Sequence, residues 1–188
     1  MDDNYGEVIW LTGLSGSGKS TIAEVLESKL KSLGLEVEYL DGDQLRRSIS
    51  PDLGFSRRDR ELHCRRVTHI SDLLAKHRII VIVALVSPYR SIRDYARSNI
   101  RSFVEVWVKC SIETCMKRDP KKLYQNAIEG KISNMTGIQD PYETPTNPEI
   151  VLDTETLSPD ACADKILGSL ALVSNYSARN ANRYRDSH

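Results

Sequence analysis

Gly13-Leu14-Ser15-Gly16-Ser17-Gly18-Lys19-Ser20 is the stretch on which the fold turns, and it fits the pattern G-x-x-x-x-G-K-[ST]. It follows the apolar run Val8-Ile9-Trp10-Leu11 and leads into Thr21-Ile22-Ala23-Glu24-Val25-Leu26, which reads as a helix. A strand that turns through glycines into a helix is the context in which this pattern cradles phosphate. The glycines let successive backbone N–H groups point inward, and the helix N-terminus adds partial positive charge. Lys19 is then placed to reach the outer phosphates, and the Ser20 hydroxyl to ligate Mg²⁺. A glycine turn with no ligand is the plain alternative; the strand before it and the helix after it argue for a nucleotide-phosphate loop, a P-loop.

The rest of the chain is consistent with one domain wrapped around this loop. Its 188 residues are enough to bury a full core. The 26 Lys and Arg balance 26 Asp and Glu, so no global field favours nucleic acid or a membrane surface. Locally, Arg46, Arg47, Arg57, Arg58, Arg60, Arg65 and Arg66 crowd one region, either as a solvated helix face or as an anion site near the P-loop. The four cysteines, Cys64, Cys110, Cys115 and Cys162, form no C-x-x-C, and the histidines share no metal-ligand spacing with them. Without a signal peptide or a long apolar segment, the expected location is a reducing cytoplasm.

Five apolar runs alternate with helical patterns: Val8–Leu11, Val37–Leu40, Ile79–Val86, Val104–Val108 and Ile150–Leu152. Such alternation predicts an α/β fold, a P-loop nucleoside-triphosphate hydrolase-type three-layer sandwich. Its sheet is mostly parallel and five-stranded, with helices on both faces. Ile79–Val86 is apolar on both faces and reads as a central strand. Helices are expected from Lys19 to about Leu33, ended by Gly34, and from Arg57 to about His77, where Val67, Ile70 and Leu74 share one stripe. Ser87-Pro88 and Ser158-Pro159 read as helix starts with proline in the first turn. The segment 130–148 is rich in Gly, Asn, Thr and Pro and lacks periodicity, which suits a lid loop over the site. A single P-loop domain is expected over 1–173, and the polar stretch 174–188 is expected to lack fixed structure.

A second constellation follows strand two, at Leu40-Asp41-Gly42-Asp43. In open parallel sheets ligands sit beyond the carboxyl ends of the strands, so both aspartates should face the P-loop. Asp43 is the better candidate to orient a metal or accept a proton from an attacking hydroxyl; Asp41 suits a helix cap or turn. The central strand has no terminal aspartate, and no Asn-Lys-x-Asp segment reads guanine. Both features favour a small-molecule kinase over a molecular switch. A nucleotide-binding module without transfer activity is the reading from another class, and Lys19, Ser20 and Asp43 together argue against it.

Further motifs make the resemblance specific. Asp41-Gly42-Asp43-Gln44-Leu45-Arg46, Leu53-Gly54-Phe55-Ser56, Arg65-Arg66, Ser87-Pro88-Tyr89-Arg90 and Arg118-Asp119-Pro120-Lys121-Lys122-Leu123-Tyr124 occur in that order. They are followed by Thr136-Gly137-Ile138-Gln139-Asp140-Pro141-Tyr142-Glu143 and Asn147-Pro148-Glu149. With these motifs the chain resembles the adenylylsulfate kinases over roughly residues 7 to 170. The resemblance implies transfer of the ATP γ-phosphoryl group to the 3′-hydroxyl of adenosine 5′-phosphosulfate, with Mg²⁺ and a homodimer. It implies ATP binding by Gly13, Leu14, Ser15, Gly16, Ser17, Gly18, Lys19, Ser20, Thr21 and Arg118. It implies acceptor binding by Asp43, Arg46, Phe55, Arg60, His63, Val86, Ser87, Lys121, Asn134 and Met135, and metal binding by Ser20 and Asp43. Lys19 and Asp43 are the implied catalytic residues. Ser87 joins them only by matching a serine described in the family as a phosphorylated intermediate, which in-line transfer does not need.

The chain departs from the family pattern at four positions around the acceptor. His63 stands in place of Asn, Leu85 in place of Phe, Ser133 in place of Lys and Met135 in place of Phe. Losing an aromatic wall weakens base stacking by roughly 1–3 kcal/mol, although a polarizable Met still covers a ring. These departures leave open a same-fold kinase for another nucleotide-like acceptor, such as a cytidine diphosphate derivative.

Overall fold

The computed structural model describes residues 5–170; the expectation for 174–188 lies outside them. Strands β1 (Val8–Thr12), β2 (Val37–Asp41), β3 (Ile80–Ala84), β4 (Phe103–Lys109) and β5 (Ile150–Asp153) form one sheet in the order β2-β3-β1-β4-β5. Every pairing is parallel. Val8 stands opposite Val81 on one side and Phe103 on the other, Val37 opposite Ile80, and Val106 opposite Ile150.

Period-two alternation of β1 divides the core. Ile9 and Leu11 enter one cluster with Ile22, Leu26 and Leu30 of α1 (Lys19–Ser32) and Ala163 and Ile166 of α7 (Pro159–Leu167). Val8 and Trp10 enter the other with Val67 and Ala75 of α3 (Arg57–Lys76) and Ile92 and Ala96 of α4 (Arg90–Asn99). Both β1 and β3 are buried throughout, as central strands of a sheet covered on both faces must be. Burying each such aliphatic side chain contributes about 1.5–3 kcal/mol. A third, smaller cluster joins Cys115 of α5 (Ile112–Arg118), Tyr124 and Ala127 of α6 (Leu123–Ile128) and Met135.

Local chemistry sets the boundaries. Ser56 Oγ accepts from Asp59 N at 3.2 Å to cap α3, and Ser158 Oγ accepts from Ala161 N at 3.2 Å above Pro159, the first residue of α7. Gly34 ends the first helix region at φ +77°. The third strand is shorter than its apolar run. Leu85 N still donates to Leu11 O at 3.2 Å, but the chain then turns at Ser87 (φ +36°) and leaves the sheet. Pro88 consequently lies two residues ahead of α4, whose N-cap is Tyr89. The short helices α2 (Gly42–Ser48), α5 and α6 carry too few turns to show a period in the sequence.

All five strands point their carboxyl ends the same way. The segments after them therefore converge on one edge: the P-loop, Asp41–Asp43, Val86-Ser87, Cys110-Ser111 and Thr154.

Candidate active site

The convergence creates a cleft of about 930 Å³. At its floor lies the P-loop. A Cβ on Gly13 would stand 2.5 Å from Val108 O and 2.8 Å from Ser17 Oγ, so only glycine lets the loop lie this close to β4. Gly18 caps α1 at φ +99°, a left-handed conformation that glycine takes at no steric penalty. Ser15, Gly16, Gly18, Lys19, Ser20 and Thr21 line the cleft. Gly13, Leu14 and Ser17 support the loop from behind: Ser17 N donates to Leu14 O at 3.2 Å, and Leu14 lines a separate cavity with Trp107 and Tyr142.

Lys19 is buried in this loop, where Nζ donates to Gly13 O at 2.9 Å and Leu14 O at 2.7 Å. Burial pushes its ammonium pKa down to about 8, with the Asp43 and Asp41 carboxylates opposing. A phosphate chain in the loop would supply the missing counter-charge.

Asp41 and Asp43 divide the roles as their positions suggest. Asp41 Oδ1 caps α2, accepting from Asp43 N at 3.0 Å and Gln44 N at 2.9 Å. Its Oδ2 accepts from the Tyr39 hydroxyl at 3.2 Å, and that hydroxyl also meets Ser20. Asp43 is left facing the cleft, where its carboxylate pairs with Lys121 from the segment between α5 and α6. Both members of that pair are half exposed, so the contact is a loose electrostatic one.

The far end of the cleft gathers arginine side chains. Of the seven clustered arginines, only Arg46 and Arg60 line the cleft. Arg66 pairs with Asp52 at 2.6 Å, Arg57 with Glu61 at 3.3 Å, and Arg65 stacks 4.8 Å from the Tyr95 ring. The cluster is thus divided: Arg57, Arg65 and Arg66 engage side chains of their own surroundings, and Arg46 and Arg60 turn to the cleft. Arg60 is only 9% exposed; its Nε donates to Phe55 O at 3.0 Å and its Nη2 to Asn134 O at 2.7 Å. Arg46 donates to Gly54 O at 2.6 Å and lies 4.5 Å over the Phe55 ring. Phe55 itself is 53% exposed, an aromatic face held out between two guanidinium groups.

His63, Val86, Ser87, Asn134 and Met135 complete this end. The Ser87 hydroxyl is buried and engaged: it accepts from Trp10 Nε1 at 3.1 Å and donates to Thr12 Oγ1 at 3.0 Å. Its carbonyl accepts from Arg93 Nη1 at 2.6 Å. Those bonds suit a wall better than a nucleophile. Leu85 packs against Gly42, where a Cβ would stand 2.4 Å from Leu85 Cδ2. Met135 is 7% exposed and anchored among Cys115, Tyr124 and Ala127, so its side chain is half core and half wall. Ser133 is exposed.

The other end of the cleft carries Arg118, which donates to Thr154 O at 2.8 Å and Gly16 O at 3.4 Å. Thr154 Oγ1 donates to Ser17 O at 2.9 Å and ties β5 to the loop. Sequence reasoning missed Thr154, Leu157 and Pro159 there. The signal was available for Thr154, which follows the fifth apolar run at the carboxyl edge.

A phosphate loop at the centre, a carboxylate on the neighbouring strand end and an arginine pocket opposite define a P-loop phosphotransferase acting on a small anionic acceptor. Comparison with known proteins narrows the class. The family described as adenylylsulphate kinase matches residues 5–153. A probable adenylyl-sulfate kinase of Archaeoglobus fulgidus is 51% identical over 148 residues, covering 79% of this chain and 96% of that protein. An adenylyl-sulfate kinase of Picosynechococcus is 44% identical over 168 residues, 89% of this chain and 95% of that one. The APS kinase of Mycobacterium tuberculosis, solved in complex with AMPPNP and APS, superposes with a TM-score of 0.85 at 40% identity, covering 87% of this chain and 96% of that chain. The chain belongs to the adenylylsulfate kinase family and is a phosphotransferase with an alcohol group as acceptor.

Proposed function

We propose that this protein transfers the γ-phosphoryl group of ATP to the 3′-hydroxyl of adenosine 5′-phosphosulfate, with the residue roles set out below. One observation carries the assignment of roles: a single continuous cleft joins the P-loop to the Arg46–Phe55–Arg60 pocket, with Asp43 and Lys121 between them. The family supports the acceptor's identity over a cytidine diphosphate derivative.

ATP lies with its phosphates on the N–H groups of residues 15–21 and its base towards Arg118, Thr154 and Pro159. Arg46 and Arg60 hold the acceptor's phosphosulfate, and the exposed face of Phe55 stacks on its adenine. Val86 and Ser87 lie along the acceptor, while Asn134 and Met135 cover it from the 130–148 segment acting as a lid. Asp43 orients the 3′-hydroxyl and accepts its proton, and Lys121 sits beside the transferring group. Lys19 moves its charge from the loop carbonyls to the phosphates, where it stabilises charge developing in transfer.

The donor set fits Mg²⁺ held largely by phosphate and water. Among the described residues no cluster of three His, Cys, Asp or Glu side chains could grip a metal unaided. The Ser20 hydroxyl and the Asp43 carboxylate instead supply the two hard oxygens such an ion takes from a protein when its other ligands come from the nucleotide. When bound, Mg²⁺ neutralises charge on the β- and γ-phosphate oxygens.

A homodimer is expected by the same membership, and a cytoplasmic setting suits the reaction. Among the described residues no helix is long and apolar enough to cross a membrane. The test is a coupled ADP-release assay with Mg·ATP and a panel of nucleotides. Turnover with adenosine phosphosulfate well above all other acceptors is expected; faster turnover with another nucleotide would reject the acceptor. Elution at twice the chain mass in size-exclusion with light scattering would support the dimer.

A further inference from the structure

Arg93 of α4 is a charged side chain only 2% exposed, and Nε, Nη1 and Nη2 each go to a different part of the fold. Nη1 donates to Ser87 O at 2.6 Å, in the turn that leaves β3. Nη2 donates to Glu143 O at 2.5 Å, in the same segment as the cleft-lining residues 131–136. Nε lies 2.8 Å from Glu105 Oε1 of β4, a charge contact out of line for a hydrogen bond. Ser87 lines the cleft, and Arg93 itself does not.

Both carbonyls belong to backbone that needs holding. Ser87 sits at φ +36°, a left-handed conformation that a residue with a Cβ keeps only when its surroundings over-determine it. Trp10 and Thr12 fix its side chain, and Arg93 fixes its carbonyl. Glu143 is fastened to the same stretch: its N donates to Pro88 O at 2.8 Å, and its Oε2 accepts from Arg90 N at 2.8 Å. The 130–148 segment is thus gripped by Arg60 at Asn134 O and by Arg93 at Glu143 O. A buried ion pair is a weak source of stability, because desolvation offsets its Coulomb energy. What the buried guanidinium adds is geometry: a planar fork that sets two carbonyls at a fixed separation, which an ammonium cannot copy.

We propose that Arg93 is a positioning residue for the acceptor: without touching it, the guanidinium locks the Val86–Ser87 wall to the covering segment through the Ser87 and Glu143 carbonyls. The inference rests on the reading that Val86, Ser87, Asn134 and Met135 enclose the acceptor. It adds to that reading a residue from outside the cleft that keeps wall and cover at one spacing.

In initial-rate kinetics, Arg93→Lys keeps a positive charge beside Glu105 but cannot reach both carbonyls. It should raise the KM for adenosine phosphosulfate about 5- to 10-fold and move the KM for ATP less than about twofold. The paired variant Arg93→Met/Glu105→Gln removes both charges at once and leaves no buried ion alone; it should fold and show the same rise. Amide hydrogen exchange on the protein without nucleotides gives a readout that general loosening cannot imitate. In either variant, residues 85–89 and 137–144 should exchange faster while β1 stays as slow as in the parent. An unchanged acceptor KM, equal rises for both nucleotides, or faster exchange that extends to β1 overturns the proposal. Exchange needs no acceptor: if the unsubstituted protein turns over no adenosine phosphosulfate, the acceptor assignment fails, and the exchange result still decides the role of Arg93.

Discussion

Replacing Arg60 by alanine separates binding of the acceptor from binding of ATP. Arg60 is buried, with Nε donating to Phe55 O at 3.0 Å and lying 4.0 Å from the Asp140 carboxylate, and Nη2 donating to Asn134 O at 2.7 Å; its charge on the cleft side is what an acceptor anion would meet. A hydrogen bond to a charged group contributes about 1.5–3 kcal/mol, equivalent to roughly a 10- to 150-fold rise in acceptor KM on its loss. The two carbonyl bonds add a second effect. They tie the Phe55 turn and the lid residue Asn134 (φ +59°) to α3, so the stacking face and the cover loosen together. Arg60→Lys keeps the charge but cannot span both carbonyls, and should fall between the parent and Arg60→Ala. Initial rates with each nucleotide varied against saturating partner give the two KM values separately. The ATP KM should change less than about threefold, because the polar partners of Arg60 are Phe55, Asn134 and Asp140, outside the P-loop. Parallel rises in both would refute the placement of Arg60 in the acceptor pocket.

Three other outcomes are expected. Asp43→Asn should lower kcat by about 100-fold, within the usual range for a proton-transfer group, yet shift the urea midpoint little, since its pair with Lys121 is exposed; unchanged turnover removes its assigned role. Lys19 has a folded pKa of about 8 against 10.5 unfolded, so its burial penalty is full below pH 8 and fades as pH rises towards 10.5. Urea unfolding at pH 7 and at pH 9.5 should therefore show Lys19→Met more stable than the parent at the lower pH, with the gap narrowing at the higher, and kcat/KM lost by at least about 100-fold throughout. Met135→Phe should lower the acceptor KM about fivefold by restoring an aromatic wall, while reducing the melting temperature because the ring overfills the Cys115–Tyr124–Ala127 cluster; a raised KM would mean a base site reshaped around methionine.

Much of this molecule was legible in one dimension because its chemistry is local. The P-loop needs glycines, a lysine and a hydroxyl at fixed spacing, and the strand and helix around it follow from apolar period. Asp41 as cap and Asp43 as the cleft-facing carboxylate also followed from position, since a cap satisfies its own neighbours and leaves the next acid to the cleft. Residues 130–148 were read as a lid from their aperiodic composition and motif, without their path, and α5 and α6 were marked only by motifs, because segments this short are set by what they pack against.

The phosphate loop, the alternation of strands and helices and the family could all be read along the chain, because each is carried by residues close together in it. Only the folded chain shows that Arg57, Arg65 and Arg66 turn to Glu61, Tyr95 and Asp52, that Thr154 braces the loop from β5, and that Ser50 meets His63 thirteen residues away. The reason is physical: burial and the partner of a polar atom depend on which elements the sheet brings together, and distance along the chain does not encode them.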